Sequence, residues 1–130
     1  MVPRRVGLIV NISFFDAKRY IIGNVPYGAG KAAVDRMSKD MAHELKAHGV
    51  GVVSLYPGFV EETRTPSVDF ESPTFIGRAV DALAMDSDVL KKTGKALLAA
   101  ELTREYGFSD TDGTQPHMLT TAGVRRRFGR

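Results

Sequence analysis

The sequence predicts an α/β fold built on a parallel sheet, and three observations predict it. Two short apolar runs, VGLIVNI at residues 6–12 and GVVSLY at residues 51–56, have strand length and little alternation, as strands buried on both faces do. Between them, residues 27–48 carry a helical period. Strand, helix and strand joined by short links form a βαβ unit, whose strands are parallel and whose crossover is right-handed.

Each element has its own local reason. The loop at residues 13–26 is closed by Gly23, Asn24 and Pro26. In the helix Ala33, Met37, Met41 and Leu45 step by four, Ala29, Val34 and Ala42 widen the apolar stripe, and Gly49 is a natural stop. Pro57 and Gly58 end the second strand, and residues 59–72 read as a polar loop around Pro66. Ser72 followed by Pro73 is an N-cap with proline at the first helical position, predicting a helix to about Met85. A third short strand is expected at residues 95–99. From Thr103 the chain turns rich in Gly, Asp and Thr. The expected organisation is therefore a body at residues 1–102 and a loosely held extension of turns and basic tail at 103–130.

Composition excludes several functions. With 130 residues the chain is one domain's worth or less, and 43% hydrophobic with 25% charged residues is ordinary for a globular protein. The net charge of +3 is uneven, because Arg4, Arg5, Arg125, Arg126, Arg127 and Arg130 sit at the two ends; without them 12 basic residues face 15 acidic ones. The high pI thus reports the termini, and no nucleic-acid partner is expected. The absence of cysteine excludes disulfides and thiolate metal sites and fits a reducing, cytoplasmic compartment. No apolar run approaches the roughly 20 residues of a membrane span, so no membrane partner is expected. The apolar run behind Arg4 and Arg5 breaks at Asn11 with no small-residue cleavage site, unlike a secretory leader.

The chemistry concentrates at Tyr27 and Lys31. Four apart on a helix, they share one face a turn apart, and an ammonium there can stabilise a phenolate. Such a phenol can move a proton to or from a carbonyl or hydroxyl oxygen. Alone the pair is weak evidence, and a half-buried tyrosine beside a surface lysine is the bland reading. Its place just past the end of a strand, where ligands bind in open α/β sheets, strengthens it. Gly28, Ala29, Gly30, Ala32 and Ala33 leave room beside it. Ser13 ends the first strand and is placed to hold a substrate oxygen, or simply to satisfy loose backbone groups. A phosphate-binding P-loop is excluded, because Val25 and Ala32 stand where that motif needs Gly and Ser or Thr. The turn at residues 110–113 lacks the distant Glu of a calcium loop, Leu119 standing there instead. His43, His48 and His117 have no ligand spacing, so no metal is expected.

Together GLIVNIS (residues 7–13), NVPYGAGKAAVDRM (24–37), HEL (43–45), the Pro57-Gly58 turn, TGKALL (93–98) and REYGFSDTDG (104–113) resemble the short-chain dehydrogenase/reductase superfamily. The likeness is to its C-terminal catalytic half, nearest the group typified by dehydrogenase/reductase family member 1. It covers about three quarters of the chain, and the ordered set is far more specific than any piece. The resemblance implies the C-terminal half of a doubly wound, Rossmann-type parallel-sheet fold. It implies hydride transfer between NAD or NADP and a small-molecule carbonyl or alcohol substrate. It casts Tyr27 as general acid/base and Lys31 as the group that lowers its pKa and bonds the nicotinamide ribose. Ser13 would orient the substrate, and Pro57, Gly58, Val60 and Thr63 would contact the nicotinamide end. A homo-oligomer through the helix at residues 27–48 is also implied.

Departures from the pattern matter. The family pairs two serines where this chain has Ser13 and then Phe14, and Glu61-Glu62 makes the approach to Thr63 one residue longer. No GxxxGxG turn, which would bind the cofactor pyrophosphate, occurs in the 130 residues. The expectation is a truncated chain, inactive alone. Calorimetric titration with NADH and NADPH is expected to show weak or no binding to it, and micromolar affinity would refute that. The competing expectation is a non-catalytic remnant or half-domain that only pairs with another chain.

Overall fold

The computed structural model describes residues 1–18, 23–60 and 70–117. Strand β1 (Gly7–Ile12) and strand β2 (Val50–Tyr56) are joined by helix α1 (Val25–Leu45) and pair in parallel, Gly7 opposite Val50 and Ile12 opposite Leu55. The ribbon of β3 (Phe59–Val60) and β4 (Phe70–Glu71) follows, then helix α2 (Pro73–Met85), strand β5 (Ala96–Leu98) and helix α3 (Ala99–Tyr106). Strand β5 pairs in parallel on the far side of β2, giving the sheet order β1-β2-β5. The α/β parallel sheet read from the sequence is thus present.

Strand β2 is buried along its whole length, as a central strand covered on both faces should be. On one face Val53 and Leu55 meet Phe75, Ala79 and Leu83 of α2 and Ala99 and Leu102 of α3. The α2 residues step by four, which turns one stripe of that helix onto the sheet. Ser72 caps α2 as expected, its Oγ accepting the Phe75 N–H at 3.2 Å. Helix α1 covers the other face. Strand β1 departs from expectation, since it is only half-buried and Ile12 is exposed. Among the described residues β2 is its only strand neighbour, so β1 is an edge.

The buried side of α1 also differs from the apolar stripe of the sequence. Ser38 and Ala42 are buried while Met37 is 47% exposed. The helix presents small residues to the sheet, and Asn11 Nδ2 donates to Ser38 Oγ at 2.9 Å across that close contact. Gly49 stops the helical stretch at φ 69°, where a Cβ would lie 2.2 Å from the Arg5 carbonyl oxygen. The segment after residue 102 is better held than its composition suggests. Helix α3 continues to Tyr106, Phe108 packs its ring 5.3 Å from that of Phe75, and Asp110 is buried. The arginine-rich tail lies outside the described residues.

Candidate active site

The parallel register brings the ends of β1 and β2 to one edge of the sheet. The Ser13 N–H donates to the Leu55 carbonyl at 2.9 Å, extending the ladder one residue past β1. The chain then turns through a 3₁₀ segment (Phe15–Ala17) and re-enters as α1, with Pro26 in its first turn. Tyr27 and Lys31 therefore stand on the first turns of α1, above the carboxyl end of β1.

The structure brings these two side chains together. Lys31 Nζ lies 5.3 Å from the centre of the Tyr27 ring and donates to the Ile12 carbonyl at 3.0 Å. Tyr27 is 44% exposed, so its phenol is open to a ligand. The electrostatics differ from what the resemblance implied. The phenol is pushed above its ordinary value of 10.0, first by burial and then by the negative charge of Asp16. The Lys31 ammonium lies over the ring face and is bonded to a backbone carbonyl, and it does not offset that rise.

Ser13 faces inward. It is 1% exposed, and its Oγ donates to the Lys31 carbonyl at 3.2 Å. The position beside Tyr27 is taken instead by Phe14, whose ring meets that of Tyr27 edge-on at 6.3 Å and that of Phe59 at 6.1 Å. Pro57 and Gly58 follow β2 on the same sheet edge, and Val60 on β3 is 43% exposed. Thr63 lies outside the described residues.

Three buried acids or phenols escaped the sequence reading. Tyr56 donates its hydroxyl to Asp35 of α1, and burial followed by that carboxylate drives its pKa strongly upward. Asp16 is 5% exposed. Its Oδ2 accepts from Asn24 Nδ2 at 2.5 Å, and its Oδ1 has no hydrogen-bond partner among the described residues. Glu71 is 1% exposed, and its Oε2 accepts the Gly58 N–H at 2.7 Å. Isolated acids in polar loops ordinarily read as solvated, and no local pattern marks these as buried. Among the described residues no group of three or more His, Cys, Asp or Glu could hold a metal, and no helix is long and apolar enough to cross a membrane.

Comparison with known proteins identifies the family and the fold. The family model described as short chain dehydrogenase matches residues 1–72, which include β1, Tyr27, Lys31, β2 and Gly58. The chain belongs to the short-chain dehydrogenase family. It is 43% identical to mouse dehydrogenase/reductase SDR family member 1 over 87% of its length, and 39% identical to the human protein over the same share. It spans 42% of the length of each of these relatives. A solved putative β-ketoacyl-ACP reductase superposes with TM-score 0.66 at 31% identity, covering 75% of this chain and 47% of that one. An actinorhodin polyketide ketoreductase solved with NADPH superposes with TM-score 0.64 at 25% identity, covering 75% of this chain and 47% of that one. The family is one of oxidoreductases, and the fold is a doubly wound, Rossmann-like α/β fragment.

Proposed function

We propose that these residues form the catalytic half of an NAD(P)-dependent oxidoreductase acting on a carbonyl or alcohol. The observation that carries the reading is the exposed Tyr27 phenol with Lys31 Nζ 5.3 Å from its ring, at the carboxyl end of a parallel strand. The site fits the nicotinamide end of such a cofactor. Two hydrogen-bonding groups stand a turn apart, and a Cβ added to Gly30 between them would meet nothing within 4 Å. Tyr27 and Lys31 would hold the ribose, and the Pro57-Gly58 turn would abut the ring. When bound, the nicotinamide supplies or accepts the hydride.

The chain's own residues handle the proton. The Tyr27 phenol, held neutral by burial and Asp16, donates to a carbonyl oxygen as that oxygen gains charge, and takes the proton back from an alcohol. The Lys31 ammonium stands over the phenol ring, 5.3 Å from its centre. The Ile12 carbonyl fixes that ammonium, and Phe14 gives the substrate an apolar wall. The test is oxidation of NADH or NADPH by a chain joining these residues to the cofactor-binding half of its relatives, across a panel of ketones and aldehydes. Turnover supports the reading, and a folded protein with none overturns it.

One observation favours the second reading, a half-domain that only pairs with another chain. The Ser13 hydroxyl is spent inside the fold, and Phe14 offers none. Light scattering discriminates, because a stable dimer without turnover would support pairing alone.

A further inference from the structure

We propose that Glu71 is the positioning residue of the Pro57-Gly58 turn, its buried carboxylate gripping the Gly58 N–H so that the turn is held in a fixed orientation at the crevice. The grip is close. Oε2 accepts the Gly58 N–H at 2.7 Å, while a Cβ built on Gly58 would lie 2.7 Å from Oε1 and 2.9 Å from Cδ. Only glycine lets the carboxylate approach the turn this closely. The two residues are brought together by β3 and β4, which pair Phe59 with Phe70 and Val60 with Glu71. Glu71 also lines a small cleft whose other walls include Tyr56, Pro57 and Leu98, at the ends of β2 and β5.

The charge on Glu71 is conditional. Burial, and to a smaller degree the like charge of Asp110, push its carboxyl up to about 7, against the opposing pull of the Gly58 N–H. Asp110 stays beside it because its carboxylate accepts from the Ser72 N–H at 2.9 Å and from the Ser72 hydroxyl. Arg78 of α2 donates to the Ser109 and Asp110 carbonyl oxygens at 2.5 and 3.2 Å. Tyr56, across the cleft, keeps its proton through this range because burial and Asp35 hold its phenol far above neutrality. Loss of the Glu71 charge weakens the bond to Gly58, since a carboxylate is a stronger acceptor than a neutral carboxyl. The turn is therefore firmly held above about pH 7 and loosened below it.

The inference rests on the reductase reading only for what the turn touches, and the experiment separates the two. In ¹H–¹⁵N spectra of the chain, the Gly58 amide proton is expected to move upfield as pH falls, with a midpoint near 7. Glu71→Gln, which cannot titrate, is expected to erase that step while the remaining amides hold their positions. A Gly58 amide that stays flat in the wild type overturns the proposal whether or not the variant folds. A step that persists in Glu71→Gln also overturns it. In the chain joined to a cofactor-binding half, Glu71→Gln is expected to raise the KM for nicotinamide roughly tenfold, the loss of about one charge-assisted hydrogen bond, with kcat little changed. An NMR step with no change in KM would keep the grip and overturn the cofactor contact.

Discussion

Tyr27→Phe, in a chain that also carries the cofactor-binding half of its relatives, is expected to lower kcat by about 10²–10⁴-fold, the usual contribution of a general acid. The substitution removes one oxygen and leaves the ring. Its edge contact with Phe14 at 6.3 Å and the Lys31 ammonium over its face at 5.3 Å can both persist. Folding should be nearly unaffected, because the phenol side chain is 44% exposed. The loss should therefore appear mainly in kcat, with the KM for cofactor raised only by the one ribose contact the hydroxyl would make, since Lys31 remains in place. A variant that keeps wild-type turnover would remove Tyr27 from the chemistry.

The largest effect on stability is expected at Phe75. It is fully buried where α2 meets the sheet, packed with Val53, Leu55, Ala99 and Leu102, and its ring lies 5.3 Å from Phe108. Phe75→Ala removes the ring and leaves a cavity that close-packed neighbours only partly fill, at a cost of about 3–5 kcal/mol. Because Phe108 lies beyond α3, the same substitution should also release the segment around Asp110. Urea unfolding measures the first effect and amide exchange of residues 107–110 the second. Met85→Ala, at a side chain 80% exposed, serves as control and should shift stability by less than about 0.5 kcal/mol. A Phe75→Ala cost no larger than the control's would contradict the packing described.

The sequence carried the βαβ frame because its signals are local. β-branched runs mark β1 and β2, Gly49 marks the helix stop, and Ser72 with Pro73 marks the start of α2. It also carried the Tyr27 and Lys31 pair, since a spacing of four on a helix fixes their common face. Which side of α1 turns inward was not legible. Ser38 and Ala42 go in because small residues let the helix lie close on the sheet, and hydropathy alone favours Met37. The inward turn of Ser13 follows from strand parity, which puts it on the α1 side with Asn11. Glu71 and Asp110 were illegible for a different reason. Their burial depends on Gly58 and Ser72, partners distant in sequence that only the tertiary fold brings close.

The pH dependence of hydride transfer, followed in single turnovers of carbonyl reduction, tests most directly whether the Tyr27 proton is the one transferred. An acid works only while protonated, so the rate should fall as pH rises through the phenol's pKa, which burial and Asp16 place above 10. Asp16→Asn removes the negative charge, so the alkaline limb should move to lower pH, and Tyr27→Phe should leave a slow rate with no such limb. An alkaline limb unchanged in Tyr27→Phe would contradict the account, because some other group would then be supplying the proton.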